Sequence, residues 1–295
     1  MKKAAILYIA LGRYVVFWKE FFESCEEMLL SCDKHYFIWT DCPPKELEYG
    51  NRPNVTVIPY EKRGWPYDSL MRFEMFLGKK EEILACDYAF FFNANMQFYN
   101  PVDLAEITPR EWNGGLVARR HPGVLWFDVS NPDNHRYERR PESTAYIPFG
   151  KGKYYVSGAF NGGTSEEYIK MCEVLAKNVQ KDLDNNIIAC VDDESHLNAY
   201  YADHDFLLLS VVYGYPERDM RKLKPRAKSI VKIVNRDKMH PRFGGHKYLR
   251  GQTDKKISGN FWAVAARKTL KTLCRVIACF VPFRKGRQKI RSYFG

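Results

Sequence analysis

The first third of the chain alternates between short apolar runs and longer segments with helical spacing of apolar residues. The apolar runs have the length of buried strands. We predict strands over residues 4–10, 36–40, 54–59 and 88–93. Helical spacing predicts helices over residues 14–30 and 67–77. Strands that alternate with helices in this way are typical of a mainly parallel, three-layer α/β sheet.

The middle of the chain, residues 110–163, is rich in Gly, Pro, Trp and Tyr. This composition suits a substrate-facing lobe of loops and short strands better than a long helix. Helical spacing returns over residues 166–181. Thr164 and Ser165 precede that segment, and both residue types commonly cap a helix N-terminus.

Charge is distributed unevenly, with a net −9 over residues 1–217, +20 over residues 218–295 and +11 in total. On a helical wheel of residues 261–280, the basic side chains lie on one side and the apolar side chains lie on the opposite side. This pattern is typical of a helix lying in a membrane surface, and the alternative is a helix packed on the domain with a solvated face. We predict one domain over residues 1–245 and a basic amphipathic tail over residues 246–295.

The predicted strand at residues 88–93 ends in Asn93-Ala94-Asn95. In open α/β sheets, ligands bind beyond the carboxyl ends of the strands. Two residues separated by one point to the same side of a strand, so the two amides would face one site. Neutral amides bind a hard divalent cation weakly. On spacing alone, the simpler interpretation is a pair of turn-forming asparagines.

A second polar cluster lies at residues 192–198, where three acids precede a serine, a histidine and an asparagine. Adjacent residues on a helix do not face each other, so we expect that Asp192, Asp193 and Glu194 do not all serve one site. Acids also complement the dipole at a helix N-terminus. One acid can therefore be catalytic while another caps the helix.

With these clusters in place, the chain resembles glycosyltransferase family 6, which includes the histo-blood-group A and B transferases and the α-1,3-galactosyltransferase. The most specific matches are YERRP at residues 137–141 and DESHLN at residues 193–198. The resemblance covers residues 4–240 and does not extend into residues 250–295. The other matching segments, in order, are residues 10–17, 35–41, 63–72, 93–95, 121–123, 145–148 and 154–163.

The resemblance implies a single GT-A-type domain, in which a Rossmann-like nucleotide-sugar-binding sheet lies beside an acceptor-binding region. It implies a retaining transfer of galactose or N-acetylgalactosamine from a UDP-sugar to the 3-hydroxyl of a β-galactoside. That acceptor is fucosylated in the blood-group branch. Glu194 matches the catalytic glutamate, which acts either as a nucleophile or as a stabiliser of an oxocarbenium-like transition state.

The remaining site residues follow by matching single positions. Asp193 matches the residue that grips the donor sugar, Tyr14 matches the aromatic ring beside the uridine, and His121 matches the histidine that binds the acceptor galactose. We assign the acceptor site to His121, Arg136 and Glu194. We assign the donor site to Ile9, Ala10, Tyr14, Arg72, Asn93, Ala94, Asn95, Val156, Gly158, Asp193 and Lys232.

Two of these positions select the donor in the blood-group pair. They correspond to Val156 and Gly158. Glycine at 158 leaves room for a 2-acetamido group that alanine would crowd, so we expect N-acetylgalactosamine as the preferred donor sugar. Ser157 and Ala159 depart from the animal sequences, so the pocket need not behave identically.

The family carries Asp-x-Asp where this chain has Asn93 and Asn95. Carboxylates at that place hold a divalent ion against the diphosphate, so the amides predict a reaction with neither a metal ion nor another cofactor. Arg72 matches an arginine that pairs with the second acid, which makes Asn95 its expected partner here. We expect basic side chains between residues 226 and 238 to neutralise the departing UDP, with Lys232 as the first choice.

Other functions remain open. One is a hydrolase or a transferase of another sugar, and a second is a catalytically decayed carbohydrate- or nucleotide-binding protein. The presence of Glu194 and the acceptor motif favours an enzyme. We expect no nucleic-acid partner, because no binding motif accompanies the basic tail. We expect a cytoplasmic bacterial enzyme, soluble or bound to the anionic inner membrane face through residues 260–291.

Overall fold

The computed structural model of the chain describes residues 1–125, 128 and 130–257. Its strands are β1 (Lys2–Ala10), β2 (Leu29–Leu30), β3 (Cys32–Thr40), β4 (Val55–Pro59), β5 (Tyr88–Phe92), β6 (Met96–Phe98), β7 (Val102–Asp103), β8 (Leu116–Arg120), β9 (Val156–Thr164), β10 (Leu207–Leu209), β11 (Tyr213–Pro216) and β12 (Ile233–Asn235). Its α-helices are α1 (Trp18–Met28), α2 (Tyr67–Leu70), α3 (Arg72–Leu77), α4 (Lys80–Leu84), α5 (Leu104–Ile107), α6 (Ser165–Asp184), α7 (Asp192–Ala202), α8 (Glu217–Met220), α9 (Pro225–Lys228) and α10 (Gly245–Leu249). Short 3-10 helices lie at Gly12–Phe17, Glu111–Asn113, Pro122–Leu125 and Pro132–Asn134.

The main sheet of the described residues has seven strands in the order β10-β8-β9-β5-β1-β3-β4. Strand β1 pairs in parallel with β5 on one side and with β3 on the other, and β3 continues in parallel to β4. Strand β9 is antiparallel to both of its neighbours, β5 and β8. The prediction of a mixed α/β chain with a large, mainly parallel sheet is confirmed.

Apolar side chains cover both faces of this sheet. Ile6 of β1 packs into a core cluster that includes the buried face of α1, whereas the next residue, Leu7, packs into a second cluster with α3 and α6. Successive strand residues point to opposite faces. A sheet that is buried on both faces needs apolar residues at every position, which explains why its strands read as continuous apolar runs.

Two predicted helices are shorter than their spacing suggested. The segment 14–30 begins with a 3-10 helix, and α1 ends at Met28 because Leu29 is extended and pairs with Val102 of β7. The segment 67–77 is divided at Met71, whose φ of −84° and ψ of 7° interrupt the helix. The predicted capping of α6 is present, since the Thr164 side chain accepts a hydrogen bond from the Glu167 N–H.

The predicted membrane-binding surface, residues 260–291, lies outside the described residues. The described part of the predicted tail packs onto the sheet domain, because Arg13 donates to the carbonyls of Tyr248 and Thr253, and Leu249 is buried. The globular part therefore continues past residue 245. Among the residues described, no helix is long and apolar enough to cross a membrane.

Candidate active site

A cavity of about 320 Å³ opens at the carboxyl ends of β1 and β5. This is the edge at which open α/β sheets bind their ligands. The predicted substrate contacts that line it are Ile9, Tyr14, Arg72, Asn93, Ala94, Gly158, Asp193 and Glu194. The predicted contacts that lie outside its lining are Ala10, Asn95, His121, Arg136, Val156 and Lys232.

Glu194 presents a carboxylate with both oxygens held by neutral donors. Its Oε1 accepts a hydrogen bond of 2.7 Å from the Tyr155 hydroxyl, and its Oε2 accepts one of 2.7 Å from the Gly158 N–H. Burial raises the pKa of Glu194, and these two hydrogen bonds together with the charges of Arg119 and Arg72 oppose the rise. The two hydrogen bonds fix the orientation of the carboxylate and offset part of the cost that burial imposes on its ionised form.

All three acids at the start of α7 line the cavity, contrary to the expectation that they diverge. Asp192 is the first residue of α7, and its φ of 42° departs from helical geometry, so its side chain does not follow the helical spacing of the other two. Burial and the neighbouring Asp193 raise the pKa of Asp192 to about 6. Three carboxyl groups crowded into one pocket oppose each other's ionisation.

Arg72 pairs with Asp193, and not with Asn95 as predicted. Its Nη1 lies 2.8 Å from Oδ2 of Asp193 and donates to the carbonyl of Gly158 at 2.7 Å. Both side chains are almost completely buried, and burial raises the pKa of Asp193 to about 6 while Arg72 opposes the rise. Within the described residues, Nε and Nη2 of Arg72 are buried without a hydrogen-bond partner. The guanidinium packs against the rings of Phe73 and Phe91, at 4.9 Å and 4.7 Å from their centroids.

The amides at the end of β5 bond to each other and to the backbone. Asn95 Oδ1 accepts from Asn93 Nδ2 at 3.1 Å, and Asn95 Nδ2 donates to the Arg236 carbonyl at 2.8 Å. Asn93 Oδ1 accepts from the Ala94 N–H. Neutral oxygens that are already engaged do not fit a divalent cation. No group of three or more His, Cys, Asp or Glu side chains in the described part of the chain could hold a metal ion.

Of the basic residues expected to neutralise the departing UDP, the first choice, Lys232, does not line the cavity. Lys232 donates to the Pro101 carbonyl and pairs with Glu106 at 3.0 Å, so it is committed outside the cavity. Of the basic residues between 226 and 238, Lys238 alone lines the cavity. Burial and the charge of Arg250 lower the pKa of Lys238 to about 8, and Asp193 opposes this shift. We therefore replace Lys232 by Lys238 as the candidate phosphate ligand.

His121 and Arg136 lie near Tyr155, the residue whose hydroxyl donates to Glu194. The rings of His121 and Tyr155 contact edge to face at a centroid distance of 5.2 Å. Burial, then the charges of Arg119 and Arg136, lower the pKa of His121 to about 4. Because His121 Nδ1 accepts a hydrogen bond from the Gly123 N–H, the proton of the neutral ring is on Nε2. Nε2–H can therefore donate to a substrate hydroxyl.

Residues 156–158 of β9, which lie between the cavity and the His121 side of Glu194, are hydrogen-bonded to α7. Asn198 Oδ1 accepts from the Val156 N–H, and Asn198 Nδ2 donates to the carbonyls of Val156 and Glu194. Val156 is fully buried and lies beside the cavity wall without lining it. A Cβ at Gly158 would lie 3.1 Å from Asp193 Oδ2, so glycine permits the close approach of β9 to α7. Ala10 is also buried, and its carbonyl accepts from the Thr40 hydroxyl.

Several residues at this site were not assigned individually from the sequence. Lys238 and Arg250 come from the C-terminal segment, which folds back over the cavity, and Trp65 comes from the loop before α2. Arg119 is completely buried, and Tyr155 is buried beside Glu194. Their roles depend on contacts between distant segments, which local pattern does not encode.

A mainly parallel α/β sheet with a held carboxylate, a buried arginine pair and basic residues at its ligand-binding edge defines the class as a glycosyltransferase. Residues 4–242 match the family model described as Glycosyltransferase family 6. The chain belongs to this family, as the sequence motifs predicted.

Relatives with described activities support this assignment. The chain is 33% identical over 235 residues to the O-antigen biosynthesis glycosyltransferase WbnI of Escherichia coli. The matched region covers 79% of this chain and 94% of WbnI. It is 30% identical over 238 residues to the globoside alpha-1,3-N-acetylgalactosaminyltransferase 1 of Gallus gallus, covering 78% of this chain and 65% of the relative. It is 32% identical over 202 residues to the histo-blood group ABO system transferase 2 of Rattus norvegicus, and the match covers 66% of this chain and 58% of the rat protein. The chain thus spans about two thirds of the length of the animal proteins.

Proposed function

We propose that this enzyme transfers N-acetylgalactosamine, or galactose, from a UDP-sugar to the 3-hydroxyl of a β-galactoside with retention of configuration and without a metal ion. The observation that carries the proposal is the Glu194 carboxylate, held by Tyr155 and Gly158 at the wall of the cavity. The names of the chicken and rat relatives support an α-1,3 linkage and a blood-group-like acceptor.

Glu194 acts on the anomeric carbon of the donor. As the bond to UDP breaks, positive charge develops on the sugar, and an ionised carboxylate stabilises it electrostatically or attacks it as a nucleophile. Retention in either case requires the carboxylate to lie beside the sugar ring in a fixed orientation. The two hydrogen bonds to Glu194 supply that orientation before the substrate binds.

The donor sugar is held by the Arg72–Asp193 pair. Asp193 Oδ1 is available to accept hydrogen bonds from sugar hydroxyls, while Oδ2 is held by Arg72. A Cβ at residue 158 would lie 3.1 Å from Asp193 Oδ2, so alanine would crowd this carboxylate. Glycine therefore supports N-acetylgalactosamine over galactose, as the matching donor-selecting position of the family predicts. The aromatic ring of Tyr14 lines the same cavity and supports stacking on uracil.

The diphosphate is neutralised by side chains in the place of a metal ion. Lys238, Arg250 and Lys62 line the cavity together with Arg72, whose Nε and Nη2 have no protein partner among the described residues. Lys and Arg stabilise negative charge that develops on a leaving phosphate. The ammonium group of Lys238 lies 5.1 Å from the ring centroid of Tyr14, which puts it near the expected base and diphosphate.

The acceptor binds on the Tyr155 side of Glu194. The Nε2–H of neutral His121 donates to an acceptor hydroxyl, and the exposed Arg136 bounds the same region. This arrangement supports a galactoside whose 3-hydroxyl points at the anomeric carbon over Glu194.

The decisive experiment offers UDP-GalNAc and UDP-Gal, each with lactose and with 2′-fucosyllactose, in excess EDTA. We expect an α-1,3-linked product, identified by NMR, that forms faster from UDP-GalNAc. The Glu194→Gln enzyme serves as the matched control and is expected to lose activity by at least about 10³-fold. A β-linked product, or activity that vanishes in EDTA and returns with Mn²⁺, would refute the corresponding part of the proposal.

A further inference from the structure

Arg119 is a completely buried arginine that the proposed reaction does not use directly. It lies near the end of β8, and its exposed fraction is 0%. Its Nη2 donates to the Ser157 hydroxyl at 2.6 Å, and its Nη1 donates to the Gly214 carbonyl. The space for the guanidinium depends on glycine at 214, because a Cβ there would lie 2.4 Å from Nη1.

This arginine has no carboxylate partner at ion-pair distance among the described residues. Its bonds go to a carbonyl and a hydroxyl, and its Nε has no partner within the described part of the chain. Burial of a guanidinium without a counterion is costly, and an apolar side chain of similar volume would fill the same space more cheaply. A purely structural role therefore explains this residue poorly.

The charge that balances Arg119 is Glu194, which acts on it across a short stretch of strand. Ser157, which holds the guanidinium, is the residue before Gly158, whose N–H donates to Glu194 Oε2. Burial lowers the pKa of Arg119 to about 10, and the charge of Glu194 opposes that shift. Arg119 reciprocally opposes the rise in the pKa of Glu194. The two charges thus favour each other's ionised form without a direct contact.

Arg72 also opposes the rise in the pKa of Glu194, but its ion pair is with Asp193. Tyr155 is a neutral donor, and Asp192 and Asp193 oppose the ionisation of Glu194. Lys238 acts on Asp193. Arg119 is therefore a cation near Glu194 that forms no ion pair with a carboxylate among the described residues.

We propose that Arg119 is a positioning residue that keeps Glu194 ionised and fixes the Ser157–Gly158 backbone beneath it. This inference rests on the proposed function, in which Glu194 must be ionised to act on the sugar. Removal of the charge should leave Glu194 more easily protonated. The reaction requires ionised Glu194, so its rate falls at low pH. This fall, the acid limb of the pH–rate profile, should then move to higher pH.

The test compares Arg119→Gln, which keeps a hydrogen-bond donor but loses the charge, with Arg119→Lys, which keeps the charge. For Arg119→Gln we expect the acid limb of kcat to move up by about one pH unit, or about a tenfold loss of rate below the limb. For Arg119→Lys we expect the limb within about 0.3 unit of the native one. Thermal unfolding and circular dichroism establish that each variant is folded. A lower rate with an unmoved limb in Arg119→Gln would indicate a purely structural role and overturn the inference.

A second measurement does not depend on transferase activity. The ¹³C resonance of the Glu194 carboxyl carbon, assigned by its absence in Glu194→Gln, is titrated in the native, Arg119→Gln and Arg119→Lys proteins. We expect a raised midpoint in Arg119→Gln alone. Unchanged midpoints of the Glu194 titration would refute the role of Arg119, even if Glu194 is catalytic. An active Glu194→Gln enzyme would refute the proposed function, and the titration result would still hold. If Arg119→Gln does not fold, a raised midpoint in Arg119→Lys still counts against the proposal.

Discussion

Nη1 of Arg72 lies 2.8 Å from Oδ2 of Asp193, and both side chains are nearly removed from solvent. The same nitrogen donates to the carbonyl of Gly158, so one guanidinium joins α3, α7 and β9 at the wall of the cavity. An arginine that holds three elements together at the cavity wall couples the stability of the fold to the geometry of the site.

Removal of this arginine should therefore destabilise the protein as well as inactivate it. Arg72→Met leaves Asp193 as a buried charge without its partner, which we expect to cost about 3–5 kcal/mol in the free energy of unfolding. The double variant Arg72→Met/Asp193→Asn should recover part of that stability but none of the activity. Urea unfolding and the transfer assay measure the two effects.

The control for this experiment is Lys170→Met, which breaks the exposed pair with Glu167 on the outer face of α6. We expect no measurable loss of stability or activity from it. Equal stability of Arg72→Met and the native protein would show that the ion pair does not support the fold.

Two lysines six residues apart should differ completely in their effect on catalysis. Lys238 lines the cavity, whereas Lys232 is engaged with Glu106 and the Pro101 carbonyl. Loss of a cation that stabilises the departing diphosphate should lower kcat by about 10²-fold in Lys238→Met. Lys232→Met is the matched control and should retain kcat within about twofold. The reverse order of effects would restore Lys232 as the phosphate ligand.

The donor preference should depend on the space at residue 158. In Gly158→Ala, the new Cβ would lie 3.1 Å from Asp193 Oδ2 and 3.3 Å from Glu194 Cβ, which crowds the side of the pocket proposed for the acetamido group. We expect the ratio of kcat/KM for UDP-GalNAc over UDP-Gal to fall by about tenfold. Competition between the two donors in one reaction measures this ratio directly. A ratio that does not change would place the acetamido group elsewhere.

The parts of the fold that follow local pattern were predictable. The four predicted strands, which correspond to β1, β3, β4 and β5, and the helix after Thr164 agree with the structure, because burial on both faces of a sheet and capping leave clear sequence patterns. Strands β8, β9 and β10 of the same sheet were not predicted individually. The boundaries that failed, at Leu29 and Met71, were set by contacts with distant segments that override helical spacing.

The candidate site was predictable where one motif carries the residue. Glu194, Asp193 and Gly158 come together in the cavity as their motifs indicated. Pairings between motifs were not predictable, because the partner of Arg72 and the choice between Lys232 and Lys238 depend on the path of the chain after β12. A basic run in the sequence shows that positive charge is available, but it does not show which side chain reaches the pocket.

Asp192 should make the stability of the enzyme depend on pH in the direction opposite to an ordinary ion-paired acid. Burial and Asp193 raise its pKa to about 6, above the value of about 3.8 expected in the unfolded chain. The folded protein then binds more protons than the unfolded chain between these values, so the contribution of Asp192 to stability falls as pH rises from about 4 to 6.

Asp192→Asn removes this cost, so we expect the variant to be more stable than the native enzyme by about 1–2 kcal/mol at pH 7 and nearly equal to it at pH 4. Urea unfolding of both proteins across this range measures the difference at each pH. Asp203→Asn, at the exposed end of the same helix, is the control for removing an acid from α7. A stability difference that stays constant from pH 4 to pH 7 would mean that Asp192 is ionised throughout. A cation within the cavity would then offset the effect of Asp193 on Asp192, and Arg250 is the candidate because its charge already opposes the rise in the pKa of Asp192.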